Sequence, residues 1–141
     1  MKITNIKFEA KGENLTLEEV LEFERFYAIE LPESYKSFML ENNGMRLLRA
    51  YFFKPEVWEE ELYFEYLLPI KYGKYNLERA NIGGLDDFPN GHLSIGHVQG
   101  GTISLSVKKD DYGSIHVYYS DGEMHKLTDS FTEFLEGLKE L

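Results

Sequence analysis

Apolar positions along this chain recur with two different periods, helical in the first third and alternating in the second half. Thr16-Leu17-Glu18-Glu19 opens the helical part as a capping box, in which the threonine hydroxyl and the glutamate three residues on pair with each other's free backbone N–H groups. The spacing predicts a helix from Leu17 to about Tyr27 that buries Leu17, Val20, Leu21 and part of Phe23, Phe26 or Tyr27. A second helix follows at once. Pro32 suits a first helical position because it lacks the N–H that the first turn leaves unpaired. Tyr35, Phe38, Met39 and Asn42 then fall at i, i+3, i+4 and i+7, and Asn43-Gly44 offers the left-handed residues that end a helix.

Alternation takes over later. Ile103, Leu105 and Val107 interleave with Thr102, Ser104, Ser106 and Lys108, the pattern of a strand with one buried face. Asp110-Asp111-Tyr112-Gly113 reads as a turn, and Ile115, Val117 and Tyr119 repeat the alternation. Asp121-Gly122 signals a two-residue hairpin, returning the chain as a strand from Met124 to Leu127. That register would set Tyr118 opposite His125 and bring His116 and His125 to one face. Residues 47–53 and 62–68 are aromatic and aliphatic enough for strands, 5–10 alternate as a first strand, and Asn76 to Asn81 suggests a short capped helix. Ser130 and Glu133 form a second capping box ahead of Phe131, Phe134, Leu135 and Leu138, which share a helical face. Helices first, strands in the middle and a closing helix predict an α+β fold, a mostly antiparallel sheet packed with helices, without βαβ alternation.

Composition narrows the class. The 141 residues fit one domain spanning 1–141, and 43% hydrophobic with 15% aromatic content suits a packed core. With no cysteine, disulfides and thiolate metal sites are excluded. No apolar run is long enough to cross a bilayer and the first seven residues have no apolar leader core, so a soluble, cytoplasmic protein is expected. A net charge of −10 repels phosphate backbones and attracts basic proteins, so no direct nucleic-acid or membrane binding is expected.

Catalytic and metal chemistry leave little trace in the spacing. His92, His97, His116 and His125 form no H-x-x-x-H pair, Asp86-Asp87 and Asp110-Asp111 lack the ligand ladder of a calcium loop, and Gly83-Gly84 and Gly100-Gly101 lack phosphate-loop spacing. No catalytic residue, cofactor or metal is expected. A site assembled from Ser104, Ser106, His116 and Tyr118 is the weaker, enzymatic alternative. Residues 58–66 instead interleave carboxylates with large rings, which suits a surface receiving a basic partner. The candidate partner-binding residues are Trp58, Glu59, Glu60, Glu61, Glu65, Asp86 and Asp87.

The segment Leu31-Pro32-Glu33-Ser34-Tyr35-Lys36-Ser37-Phe38, ending in Asn43-Gly44, resembles the signature of the SMI1/KNR4 (SUKH) family. Pro89 to Gly96, Gly100 to Ile103, Asp110 to Ile115 and Asp129 to Leu135 continue the resemblance in the family's order. Met45 stands where the family often has a second glycine. The resemblance implies a helix-packed antiparallel sheet and, for bacterial members, a non-enzymatic immunity protein. Such a protein binds a cognate polymorphic toxin, often a nuclease, and occludes its active site. The alternative it leaves open is an intracellular regulatory or scaffold module that binds proteins without neutralising a toxin.

Overall fold

Eight strands form one antiparallel sheet in the computed structural model, which describes residues 6–56 and 58–141. β1 (Phe8–Glu9), β2 (Met45–Phe53), β3 (Leu62–Leu67), β4 (His92–Val98), β5 (Gly101–Ser106), β6 (Ile115–Tyr118) and β7 (Met124–Thr128) lie side by side in chain order. β8 (Lys139–Glu140), which the sequence pattern does not announce, pairs with Tyr51 and Phe52 on the edge of β2 that β1 meets at Arg46 and Leu47. Two stubs thus cover the edge of a nine-residue strand, limiting what another chain can pair with. Of the expected first strand, Asn5 lies outside the described residues.

Helices α1 (Leu17–Tyr27), α2 (Glu33–Glu41) and α4 (Phe131–Glu136) accompany the sheet, with the one-turn α3 (Leu77–Ala80) between β3 and β4. The result is the single α+β domain that the element order predicts. Thr16 accepts from Glu19 N–H while the Glu19 carboxylate accepts from Thr16 N–H, completing the capping box. α1 buries Val20, Phe23 and Glu24, whereas Leu17, expected inside, is 54% exposed; among its three aromatic residues Phe23 is the buried one and Phe26 is 80% exposed. Glu24 is held there by the Leu31 N–H at 2.8 Å and the Lys36 ammonium at 3.2 Å, which tie α1 to α2.

Tyr35, Phe38 and Met39 on α2 are fully buried. Phe131 of α4 stacks edge-on against Tyr35 and Phe38, at 5.2 and 5.3 Å between ring centres. The α4 capping box is only half formed: Ser130 accepts from Glu133 N–H, but the Glu133 carboxylate turns to the N–H of Asp129. Leu138 lies beyond the end of α4 and is buried all the same.

Past α2, Gly44 takes a φ of +88°, and a Cβ there would come within 2.9 Å of the Leu67 carbonyl. Asn43 acts through its side chain. Its amide donates to the carbonyls of Glu13 and Ile70 and accepts from the Ile70 N–H, all at 2.8–2.9 Å.

Two expectations about the sheet are corrected. The loop after β6 has three residues, Ser120 to Gly122, closed by the Tyr119 N–H donating to the Glu123 carbonyl, with Gly122 at φ +94°. One extra loop residue slips the register by one, so Val117, not Tyr118, faces His125, and His125 leaves the His116 face. β5 also buries both faces: Ser104 and Ser106 are as inaccessible as Ile103 and Leu105. The reason is that the segments 81–91 and 107–114 fold over the polar side. There the Asn81 amide pairs with both backbone groups of Ser94, and Val107 N–H donates to Gly91.

Candidate functional site

Trp58, Glu59 and Glu60, from the loop before β3, come together with Tyr119, Ser120, Asp121, Glu123 and His125 from the β6–β7 hairpin. They line an open groove of about 720 Å³. The register slip is what delivers His125 here: its ring packs edge-on against the Trp58 indole with centres 4.9 Å apart. The Lys54 ammonium donates to the Trp58 carbonyl at 3.0 Å and steadies the loop. Four carboxylates, Glu59, Glu60, Asp121 and Glu123, ring this aromatic floor. Burial raises the proton affinity of the Tyr119 phenol, and the charges of Glu123, Glu60 and Asp121 raise it further, a local sign of the negative field. Rings packed on one another, bordered by carboxylates able to accept guanidinium forks, can bind basic side chains.

The remaining candidate residues lie outside this groove. Glu61 is exposed just ahead of β3, and Glu65 is the extra, exposed residue of a bulge between Phe64 and Tyr66. Asp86 and Asp87 belong to the segment covering the polar face of the sheet. Asp87 lines a smaller cleft of about 180 Å³ with Phe88, His92, Ser94 and Tyr118.

That polar face holds a second constellation. Ser94, Ser104 and His116 form a row across β4, β5 and β6, with His92 and Ser106 paired beside it. His92 Nδ1 meets Ser104 Oγ at 3.1 Å, and the hydroxyls of Ser94 and Tyr118 meet at 2.6 Å. Ser106 donates to Asp111 at 2.5 Å. The His92 and His116 rings stand edge to face, 4.7 Å apart. Burial lowers the pKa of His92 to about 4, helped by His116, and burial lowers that of His116 as well, so both imidazoles are neutral at pH 7. Burial pushes the Asp111 carboxyl up, but the Ser106 hydrogen bond, with His116 and His92 once these are protonated in acid, outweighs it and holds the acid below its usual range. The alternation of β5 and β6 places Ser104, Ser106, His116 and Tyr118 on one face, as found; what spacing does not show is that Ser94, His92 and Asp111 join them, because those residues meet the group from β4 and from the β5–β6 loop.

A meandering antiparallel sheet with helices against it defines an α+β domain, and this one carries an acidic aromatic groove. The model of the SMI1 / KNR4 family (SUKH-1) matches residues 14–137, and the chain belongs to that family. Among curated proteins, none matches the chain. No helix among the described residues is long and apolar enough to cross a membrane.

Proposed function

We propose that this chain is a non-enzymatic immunity protein that binds a basic partner, a cognate bacterial toxin such as a nuclease, and occludes its active site with an acidic surface. The observation that carries the reading is the union of Trp58, Glu59 and Glu60 with the hairpin residues Tyr119, Asp121, Glu123 and His125 in one groove. Rings supply burial at low entropic cost, carboxylates supply charge-assisted hydrogen bonds, and the net charge of −10 steers a cationic partner from a distance. Inhibition is stoichiometric and needs no turnover.

The serines of the polar face support a non-catalytic reading. Ser104 and Ser106 have no accessible surface, so no substrate carbonyl reaches either hydroxyl, although Ser104 has an imidazole partner. The protein acts in the cytoplasm, where a toxin with an intracellular target must be met. On this reading a toxin gene is expected beside this one, and co-expression with its product is the test: cells survive and the two proteins co-purify at one to one. Continued killing with no complex formed refutes it and leaves a regulatory or scaffold role as the better account.

A further inference from the structure

His92, Asp111 and His116 each offer one donor atom, and the three donors lie within 4.8 Å of one another. The residues reach this point from β4, from the β5–β6 loop and from β6, so the sheet fixes two of them and a turn supplies the third. The geometry points to a binding site for a first-row divalent transition metal ion, held by two imidazoles and one carboxylate. This departs from the expectation drawn from histidine spacing, and it stands independently of the partner proposed above.

Four features support the assignment. First, the donor set is right: two neutral imidazoles and a carboxylate are ligands for zinc-like ions, and the site contains no thiolate. Second, two of the three ligands already have the outer contacts that orient metal-binding side chains. Ser104 engages His92 Nδ1, leaving Nε2 as the donor, and Ser106 fixes one oxygen of Asp111. Third, His116 is uncommitted. Its Nδ1 is buried without a hydrogen-bond partner, and its Nε2 lies 3.8 Å from Asp111 Oδ2, too far for a hydrogen bond. A buried ring nitrogen without a partner is costly, and the opposite nitrogen, not held by Asp111, is left to take an ion. Fourth, the space fits. Tetrahedral coordination at about 2.0–2.2 Å places donors roughly 3.4 Å apart, a closure that side-chain rotation supplies. Asp111 keeps 29% of its side-chain surface exposed, so water can complete the shell.

Such an ion would pin the β5–β6 turn to β4 across the polar face. The segment 107–114 would then be a metal-fastened cover over the sheet.

Calorimetric titration of Zn²⁺ into the untagged, chelator-treated full chain tests this, with folding of each variant checked by circular dichroism. One equivalent binds the native chain, and thermal unfolding shifts upward with added zinc. Asp111→Asn, on an accessible turn and close in shape, weakens binding at least about tenfold, and His116→Gln does so at least equally. His97→Gln and His125→Gln bind as the native chain does. Absence of binding at millimolar zinc, or a loss below about tenfold in Asp111→Asn, overturns the site. So does an equal loss in His125→Gln, which would mean capture by scattered surface histidines. Because Asp111→Asn leaves both buried rings in place, the test survives a failure of His116→Gln to fold.

Discussion

The Asn43 side chain joins the Glu13 carbonyl to both backbone groups of Ile70, bridging the lead-in to α1, the end of α2 and the segment after β3. Asn43→Ala strands several buried groups at once and is expected to cost about 2–3 kcal/mol, read from urea unfolding. Its place in the Asn-Gly signature therefore has a structural reason: Gly44 makes the turn and Asn43 holds it. Glu19 offers a test of electrostatics at the same scale. Hydrogen bonds from Lys71, then Tyr72 and the Thr16 N–H, lower its pKa from 4.5 to about 2. A carboxylate depressed on folding contributes stability above its unfolded pKa, and that contribution fades as pH falls from about 4.5 toward 2. Glu19→Gln is expected to flatten the pH dependence of thermal stability in that window and to leave its slope above pH 6 unchanged. An unaltered acid limb would show that the pairing is too solvent-screened to matter.

Among the elements, α4 meets α2 through the Phe131 ring and the sheet through Phe134 against Phe53 and Phe64. Phe131 is fully buried between Tyr35 and Phe38, so Phe131→Ala opens a cavity at the contact between α4 and α2 and should cost about 3–5 kcal/mol in thermal or urea unfolding. A loss below about 1 kcal/mol would mean that α4 docks by other contacts. The elements also show how far sequence reasoning reaches. The caps at Thr16 and Ser130, the Tyr35–Phe38–Met39 face and the alternation of β5 and β6 are local physics, readable from spacing, and all are present. The hairpin register was not readable, because Asp121-Gly122 suits a two-residue loop as well as the last two residues of a three-residue one, and only the pairing of Tyr119 with Glu123 decides between them. Nor was the burial of Ser104 and Ser106. Alternation tells which residues share a face, while what covers that face depends on segments 81–91 and 107–114, distant in sequence. The exposure of Leu17 and Phe26 belongs to the same class, since a short helix can present only part of its apolar stripe to one sheet.

For the whole molecule, charge and shape converge on the groove beside Trp58. The chain carries 25 acidic and 15 basic residues, and four of the carboxylates border half-buried rings where the loop before β3 meets the β6–β7 hairpin. General negative charge speeds any encounter with a basic protein, whereas a specific interface depends on where the charge sits. The central claim is that this groove is the interface. Its most direct test is the association rate of the purified chain with the toxin that co-expression identifies as its partner, followed by stopped flow across a salt series. Two double variants with the same change in net charge are compared: Glu59→Lys with Glu60→Lys, and Asp86→Lys with Asp87→Lys. The first pair is expected to slow association at low salt by at least about tenfold and to weaken its salt dependence, while the second changes it far less. Equal slowing by both pairs, or none by the first, would contradict the account and place the contact elsewhere on the molecule.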